Sequence, residues 1–316
     1  MNLDRHRVEE ILEKFKSLKV LVVGDVILDR YVFGKVERIS PEAPVPVVEV
    51  QREEFRLGGA SNVANNLASL GVKTYLLGVV GQDYKRHIVK GLLREAGIVD
   101  LLVEDHSRPT TEKMRVVALS QQLLRIDSES RQTVKGKVLR ELLQRLDVEV
   151  DCLVVSDYAK GVVCKDLMER IRERGLFFSV DPRPVNKNLY VGASLMTPNE
   201  KEAREMLPEE HLQSLGWRLK RELSLGTLVI TLGQRGMALF EKSFKVFPAK
   251  ARQVYDVSGA GDTVVAVLTA CALCGVDWDS ACELANLCAG IVVGKLGTAV
   301  VSPQEVLQSL EERCEV

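Results

Sequence analysis

Residues Val20-Leu21-Val22-Val23-Gly24-Asp25 form a β-branched run that stops on a glycine and a carboxylate. Comparable apolar runs recur at Thr74 to Val80, Cys152 to Ser156, Phe177 to Val180, Ser194 to Thr197 and Thr227 to Thr231. Segments with helical periodicity separate them: Ala60 to Leu70, Asp83 to Ala96, Arg131 to Leu146, Lys165 to Arg174 and Leu212 to Leu223. Strands without polar alternation, each followed by a helix, predict an α/β fold with a doubly wound, mainly parallel sheet covered on both faces. Two stretches break the rhythm. Tyr31 to Phe55 and Thr111 to Asp127 alternate in polarity with no helix between strands, which predicts a small antiparallel β layer apart from the main sheet, a candidate lid. From Asp256 onward the chain turns helical, over Gly259 to Gly275, Asp279 to Lys295 and Pro303 to Glu312.

The 316 residues are 46% hydrophobic and 28% charged, with 23 Gly and 10 Pro, a globular profile rather than a disordered one. The expectation is one domain over residues 1–316, with lid strands within 31–57 and 105–127. Lys+Arg 43 against Asp+Glu 44 leaves a net charge of -1, so no overall basic field exists to hold nucleic acid or an anionic membrane. Any anion must be gripped locally. The charged start, MNLDRHRVEEILEKFKSLK, lacks the apolar core of a signal peptide, and Val264 to Val276 is shorter than the roughly 20 residues of a membrane-spanning helix. A cytoplasmic location follows as an expectation. Seven cysteines without scaffold spacing predict reduced thiols, and Cys271-x-x-Cys274 lies in an apolar helical run that suits core thiols better than a metal. The four histidines stand in charged contexts with no H-x-x-x-H pairing, which removes the main support for zinc hydrolase or Ser-His-Asp chemistry.

The strongest chemical signal is Asp256-Val257-Ser258-Gly259-Ala260-Gly261-Asp262-Thr263. Three small residues let a ligand approach the backbone, and free amides at the start of a helix present partial positive charge to it. Asp262, in the first turn, can take a proton from a hydroxyl attacking the phosphoryl group that those amides stabilise. A plain glycine turn is the bland rival. No G-x-x-x-x-G-K-[ST] occurs, and G-x-G-x-x-G is missing after the first strand, so phosphates must be held by some other arrangement.

Gly58-Gly59-Ala60-Ser61-Asn62-Val63-Ala64, then Gly78-Val79-Val80-Gly81-Gln82-Asp83, then Asp256 to Thr263 resemble the ribokinase-like carbohydrate kinases in content and order. Gly24 to Tyr31, Arg38 to Val47 and Ser156-Asp157-Tyr158-Ala159-Lys160-Gly161 look like the bacterial heptose kinases within that family. The resemblance covers nearly the whole chain. It implies a ribokinase-like fold, ATP as co-substrate with Mg2+, and phosphorylation of D-glycero-β-D-manno-heptose 7-phosphate at C1 on the way to ADP-heptose and the lipopolysaccharide core. Such kinases are often fused to a nucleotidyltransferase with an H-x-G-H motif. That motif is missing here, so a stand-alone kinase, or the kinase half of a longer protein, is expected.

Carried over residue by residue, the resemblance makes Asp262 the base and Gly259, Ala260 and Gly261 the anion hole. Asp25, Gly59 and Asn62 would contact the sugar; Asp25 as a strand-end turn residue and Asn62 as a helix cap remain open. Asn199 and Glu202 match an N-x-x-E element near Mg2+ and the nucleotide phosphates, with Glu202 acting through water; a helix entry with first-turn acids is the alternative. Thr231, Gly233 and Gly236 look like a nucleotide-side turn, or a simple hairpin into Met237 to Phe240. Asn286 and Gly290 match the adenine wall, or merely pack a helix. A monovalent cation, K+, beside Asp256 is implied by resemblance alone. A substrate already bearing a phosphate needs a second cationic clamp. Lys160 and Arg183 lead the candidates, each shortly after an Asp at a predicted strand end, followed by Arg125, Lys113 and Arg115, any of which could be a solvated surface charge. The resemblance further implies a homodimer through the lid, which would protect its strand edges. The rival functions are a kinase for another sugar or sugar phosphate, and a catalytically silent sugar-phosphate sensor.

Overall fold

The computed structural model describes residues 3–118, 121–249 and 256–314. Its strands are β1 (Lys19–Gly24), β2 (Val26–Ile39), β3 (Pro46–Gly59), β4 (Lys73–Gly81), β5 (Val99–Asp100), β6 (Val103–Asp105), β7 (Glu112–Ala118), β8 (Gln121–Ser128), β9 (Cys152–Ser156), β10 (Phe177–Asp181), β11 (Leu195–Met196), β12 (Thr227–Thr231), β13 (Met237–Phe240) and β14 (Phe244–Phe247). The helices are α1 (Arg5–Phe15), α2 (Ala60–Ser69), α3 (Lys85–Glu95), α4 (Gly136–Arg145), α5 (Lys165–Glu173), α6 (Glu200–Met206), α7 (Leu212–Glu222), α8 (Ala260–Leu273), α9 (Trp278–Val292) and α10 (Pro303–Cys314).

The main sheet runs β14-β13-β12-β11-β10-β9-β1-β4-β5, with β6 pairing beside β5 on β4. Pairing from β12 to β5 is parallel; β12–β13 and β13–β14 are antiparallel. The period-2 geometry of a strand explains the continuous apolar runs. Val20 and Val22 join a core with residues of α1, α2, α8 and α9, while Leu21 and Val23 point the other way into a core with α4, α5 and α7. All four are fully buried. Each contributes about 1.5–3 kcal/mol by leaving water, and Leu21→Ala would lose about 2–5 kcal/mol by opening a cavity. Helix α8 is apolar on every side, with Val264 to Leu268 all buried, as a helix enclosed between the sheet and other helices must be.

The second layer is a four-stranded sheet ordered β3-β2-β7-β8. It departs from the expected purely antiparallel lid, because β7 runs parallel to β2. The chain returns to the main sheet through α2, β4 and α3 before coming back, so β7 enters the lid from the same end as β2, and a crossover of that length gives a parallel pair. The lid is also more deeply rooted than expected. Val26 pairs with Gly59, so β2 leaves directly from β1 and β3 runs directly into α2.

Smaller differences are local. Helix α4 begins at Gly136, not Arg131: Lys135 before it is extended, and Gly136 itself stands at φ +62°. Helix α6 is set by a reciprocal capping box between Asn199 and Glu202. Cys152, Cys164, Cys271, Cys274, Cys282 and Cys288 are free thiols, as expected, and among the described residues no His/Cys/Asp/Glu group is arranged to hold a metal ion by itself. No described helix is long and apolar enough to cross a membrane.

Candidate active site

Parallel strands of one sheet deliver their C-terminal ends to one edge, where ligands gather in open α/β folds. Here β1 and β9 lead directly into Asp25 and Asp157, and β10 ends on Asp181. Asp25 is 1% exposed and accepts from three backbone amides: Oδ2 from Tyr158 at 2.8 Å and Lys160 at 3.0 Å, and Oδ1 from Val162 at 3.2 Å. Its carboxylate therefore pins the loop after β9. Burial, with Asp157 beside it, pushes its pKa up to about 6. Asp157 supports the same loop, accepting from Ala159 N, Asn186 Nδ2 and Tyr190 OH. The consequence is positional. Tyr158 and Lys160 project from a loop fixed at both ends.

Gly59 caps α2 at φ +56°, where an added Cβ would lie 2.5 Å from the Asp25 carbonyl oxygen. That turn places Asn62 inside the fold, facing the start of α8. Gly259, left-handed at φ +83°, opens α8, and its first-turn amides have no intrahelical partner. Asp262 is 4% exposed in that turn. Its Oδ2 accepts from Asn62 Nδ2 at 2.7 Å and its Oδ1 from the Tyr158 hydroxyl at 2.9 Å. Burial raises its pKa to about 6, against the lowering effect of those two donors. Asn62 Oδ1 is buried without a partner, an acceptor placed beside the carboxylate.

A polar cavity of about 130 Å³ opens against Asp262, lined by Tyr158, Asp181, Arg183, Thr197, Asn199, Glu202, Thr231, Gly259 and Gly261. Arg183 Nη1 donates to Glu202 Oε1 at 2.5 Å, and its guanidinium carbon sits 4.6 Å from the Tyr158 ring centroid. Glu202 also closes the α6 capping box, its Oε2 accepting from Asn199 N at 2.9 Å. Cap and cavity wall are therefore the same residues. Asp181 is pushed well above the usual carboxylate range by burial, then by the charges of Asp262 and Glu202. Carboxylates converging on a polar cavity fit a Mg2+ ion that keeps most of its water and binds phosphate oxygens, rather than one caged by protein ligands.

Asn199, Thr231 and Gly261 also line a second cavity of about 530 Å³, which continues past Gly233, Gly236, Asn286 and Gly290. That volume suits a nucleotide. Its walls are mainly apolar, from Met237, Val257, Val264, Ala289 and Val293. The Thr231 to Gly236 turn is a hairpin turn between β12 and β13 and a cavity wall at once. Asn286 of α9 lines the same cavity and ties to the main sheet, its Nδ2 donating to Phe247 O at 3.1 Å. Asp256, behind the α8 turn, accepts from Ser258 N at 2.9 Å and Gly297 N at 3.0 Å; against the upward push of burial, these amides hold it below the usual carboxylate range.

On the lid side, the structure brings in residues the sequence reading left without a role. Asp29 of β2 is 3% exposed, pairs with Arg115 of β7 at 2.5 Å, and bears on Asp262 through its charge. Tyr158 and Asp181, which stand in the sequence only as neighbours of Lys160 and Arg183, line the cavity themselves. A signal for all three was available: each is a polar residue at or just past an apolar strand end, or within an apolar run, GDVILDRY. The two leading clamp candidates separate. Lys160 meets Glu129 at 2.5 Å below the lid, whereas Arg183 lines the cavity shared with Asn199 and Gly261.

Residues 17–305 match the model of the pfkB family carbohydrate kinases. The chain is 46% identical over 309 residues to the D-beta-D-heptose 7-phosphate kinase of Bordetella bronchiseptica, covering 93% of this chain and 96% of that one. It is 41% identical over 297 residues to the Bifunctional protein HldE of Nitratiruptor sp., covering 91% of this chain and 64% of that longer protein. The fold superimposes on Arabidopsis thaliana ribokinase complexed with ribose and ATP with a TM-score of 0.72 at 19% identity, over 93% of this chain and 99% of that one. A buried carboxylate beside a glycine-opened helix, two adjoining cavities and a family match over most of the sequence agree: the chain belongs to the pfkB family of carbohydrate kinases.

Proposed function

We propose that this chain transfers the γ-phosphoryl group of ATP to the C1 hydroxyl of D-glycero-β-D-manno-heptose 7-phosphate, giving the 1,7-bisphosphate and ADP on the way to ADP-heptose. The observation that carries the chemistry is the placement of Asp262 against the polar cavity, oriented by Asn62 and Tyr158. The acceptor reading is supported by the name of the Bordetella relative. Asp262 takes the C1 hydroxyl proton, the oxygen bonds to the γ-phosphorus, and the bond from that phosphorus to the β-phosphate oxygen breaks, releasing ADP. The amides at the Gly259, Ala260 and Gly261 turn that opens α8 would stabilise the transferring group. Arg183 lines the polar cavity beside Asp262 and would supply positive charge to phosphoryl oxygens there.

Asn199 and Glu202 would hold hydrated Mg2+ at the nucleotide phosphates, where the ion neutralises developing charge. Thr231, Gly233, Gly236, Asn286 and Gly290 would wall the nucleotide. Asp25, Gly59 and Asn62 would contact the sugar, and Asp25 would also hold the loop that carries Tyr158 and Lys160. K+ beside Asp256 would be tested by activity in K+ against Na+. We treat 1–316 as one kinase domain in a cytoplasmic protein. A homodimer through the lid is supported by Ile39, Val45, Val50, Leu124 and Ile126, which are large apolar side chains exposed on lid strands and their connecting turn, and sedimentation velocity tests it. Phosphorus NMR after incubation with ATP and heptose 7-phosphate tests the reaction: a new C1 phosphate resonance is expected, and ADP formation only with a different sugar would overturn the acceptor assignment.

A further inference from the structure

The face of the lid turned toward the site carries an excess of positive charge. Parallel pairing sets Lys113 opposite Asp29 and Arg115 opposite Tyr31, and antiparallel pairing sets Lys113 opposite Asp127 and Arg115 opposite Arg125. Residues directly opposite share a face, as do residues two apart along one strand, so Lys113, Arg115 and Arg125 stand together while Met114, Leu124 and Ile126 face away. Lys160 reaches the same place from the loop that Asp25 pins. Three of these four cations have their own carboxylate: Arg115 with Asp29 at 2.5 Å, Lys160 with Glu129 at 2.5 Å, and Arg125 with Asp127 at 2.8 Å.

Lys113 has none within ion-pair distance among the described residues. Its ammonium lies 5.3 Å from the ring centroid of Tyr158, whose hydroxyl donates to Asp262. Burial, and crowding by Lys160, Arg115 and Arg125, lowers its pKa, opposed by the charge of Asp29. Arg115 and Arg125 stand directly opposite each other on neighbouring strands, where like charges repel even with their carboxylates beside them, and the half-buried Lys113 next to them has no carboxylate of its own. An anion would relieve both.

We infer that Lys113, flanked by Lys160 and Arg125, is the subsite for a phosphate monoester on the acceptor, at the end remote from the hydroxyl that reacts. This rests on the acceptor reading proposed above and adds to it: the lid reads the phosphate, while Asn62 and Asp262 read the hydroxyl. Arg183 has no part in this subsite, because it lines the phosphoryl-transfer cavity.

The test compares heptose 7-phosphate with the same heptose lacking phosphate, in wild type, Lys113→Met and Lys113→Arg. Wild type is expected to prefer the phosphorylated acceptor, and Lys113→Met to reduce that preference in kcat/KM by roughly 10- to 100-fold, chiefly through KM, as loss of a charged hydrogen bond implies. Lys113→Arg is expected to recover part of it. An equal loss with both acceptors, or no loss, would overturn the inference. A second measurement separates this failure from failure of the acceptor reading. Inorganic phosphate should raise the Tm of wild type more than that of Lys113→Met, whichever sugar is the substrate. Equal rises would overturn the subsite even if heptose 7-phosphate is turned over.

Discussion

The Tyr158 hydroxyl donates to Oδ1 of Asp262 at 2.9 Å, while Asn62 holds Oδ2 at 2.7 Å, so both oxygens of a nearly inaccessible carboxylate are oriented by neutral donors. Neutral donors stabilise the anion without cancelling its charge, which keeps it a base. Asp29, whose charge raises the Asp262 pKa, and Arg183, whose charge lowers it, complete the surroundings.

Tyr158→Phe removes one donor to the charged form. Such donors lower a carboxyl pKa, so the variant's Asp262 should titrate above the value of about 6 reached in the native site. The base works when deprotonated, and the acid limb of the kcat profile should therefore move to higher pH, by about one unit for a bond of this kind. A uniform fall in kcat with an unmoved limb would indicate that Tyr158 only packs.

Gly259→Ala would force a side chain into a left-handed conformation and set its Cβ 2.9 Å from Asn62 Nδ2, the donor to Asp262. The backbone cost is about 1–2 kcal/mol. Turnover should fall further than stability does, on the order of 10²-fold, because the anion hole and the orientation of the base are disturbed together. Unchanged kcat would contradict this reading of the α8 turn.

Glu202→Gln keeps an oxygen to accept from Asn199 N, so the α6 cap should persist while the charge disappears. The Mg2+ concentration for half-maximal activity should rise by about 10-fold or more, with Tm lowered only by loss of the Arg183 ion pair. An unchanged Mg2+ requirement would reduce Glu202 to a helix cap.

The parallel sheet was legible because strands buried on both faces must be apolar throughout, and β1, β9 and β12 fall where Val20 to Val23, Cys152 to Ser156 and Thr227 to Thr231 indicate. The α8 turn was legible because close approach of a backbone needs small residues in sequence. Pairing direction was not. Nothing local in Thr111 to Asp127 tells that β7 runs parallel to β2, since that follows from the path of the intervening chain. Nor does sequence reveal that Asp25 is occupied by three amides from a loop more than a hundred residues away, or that Asp29 meets Arg115, because both depend on tertiary approach. Asn199 caps α6 and Asn286 ties to Phe247 O, and both also line the larger cavity, a placement that no local sequence pattern reveals.

The central claim is that Asp262 is the proton acceptor for phosphoryl transfer. Asp262→Asn is nearly isosteric, and it is to be measured for kcat with saturating ATP and acceptor, beside calorimetric binding of the acceptor. The predicted result is a kcat lower by about 10²- to 10⁴-fold with acceptor binding retained. Turnover like that of wild type, in a variant that still binds both substrates, would contradict it.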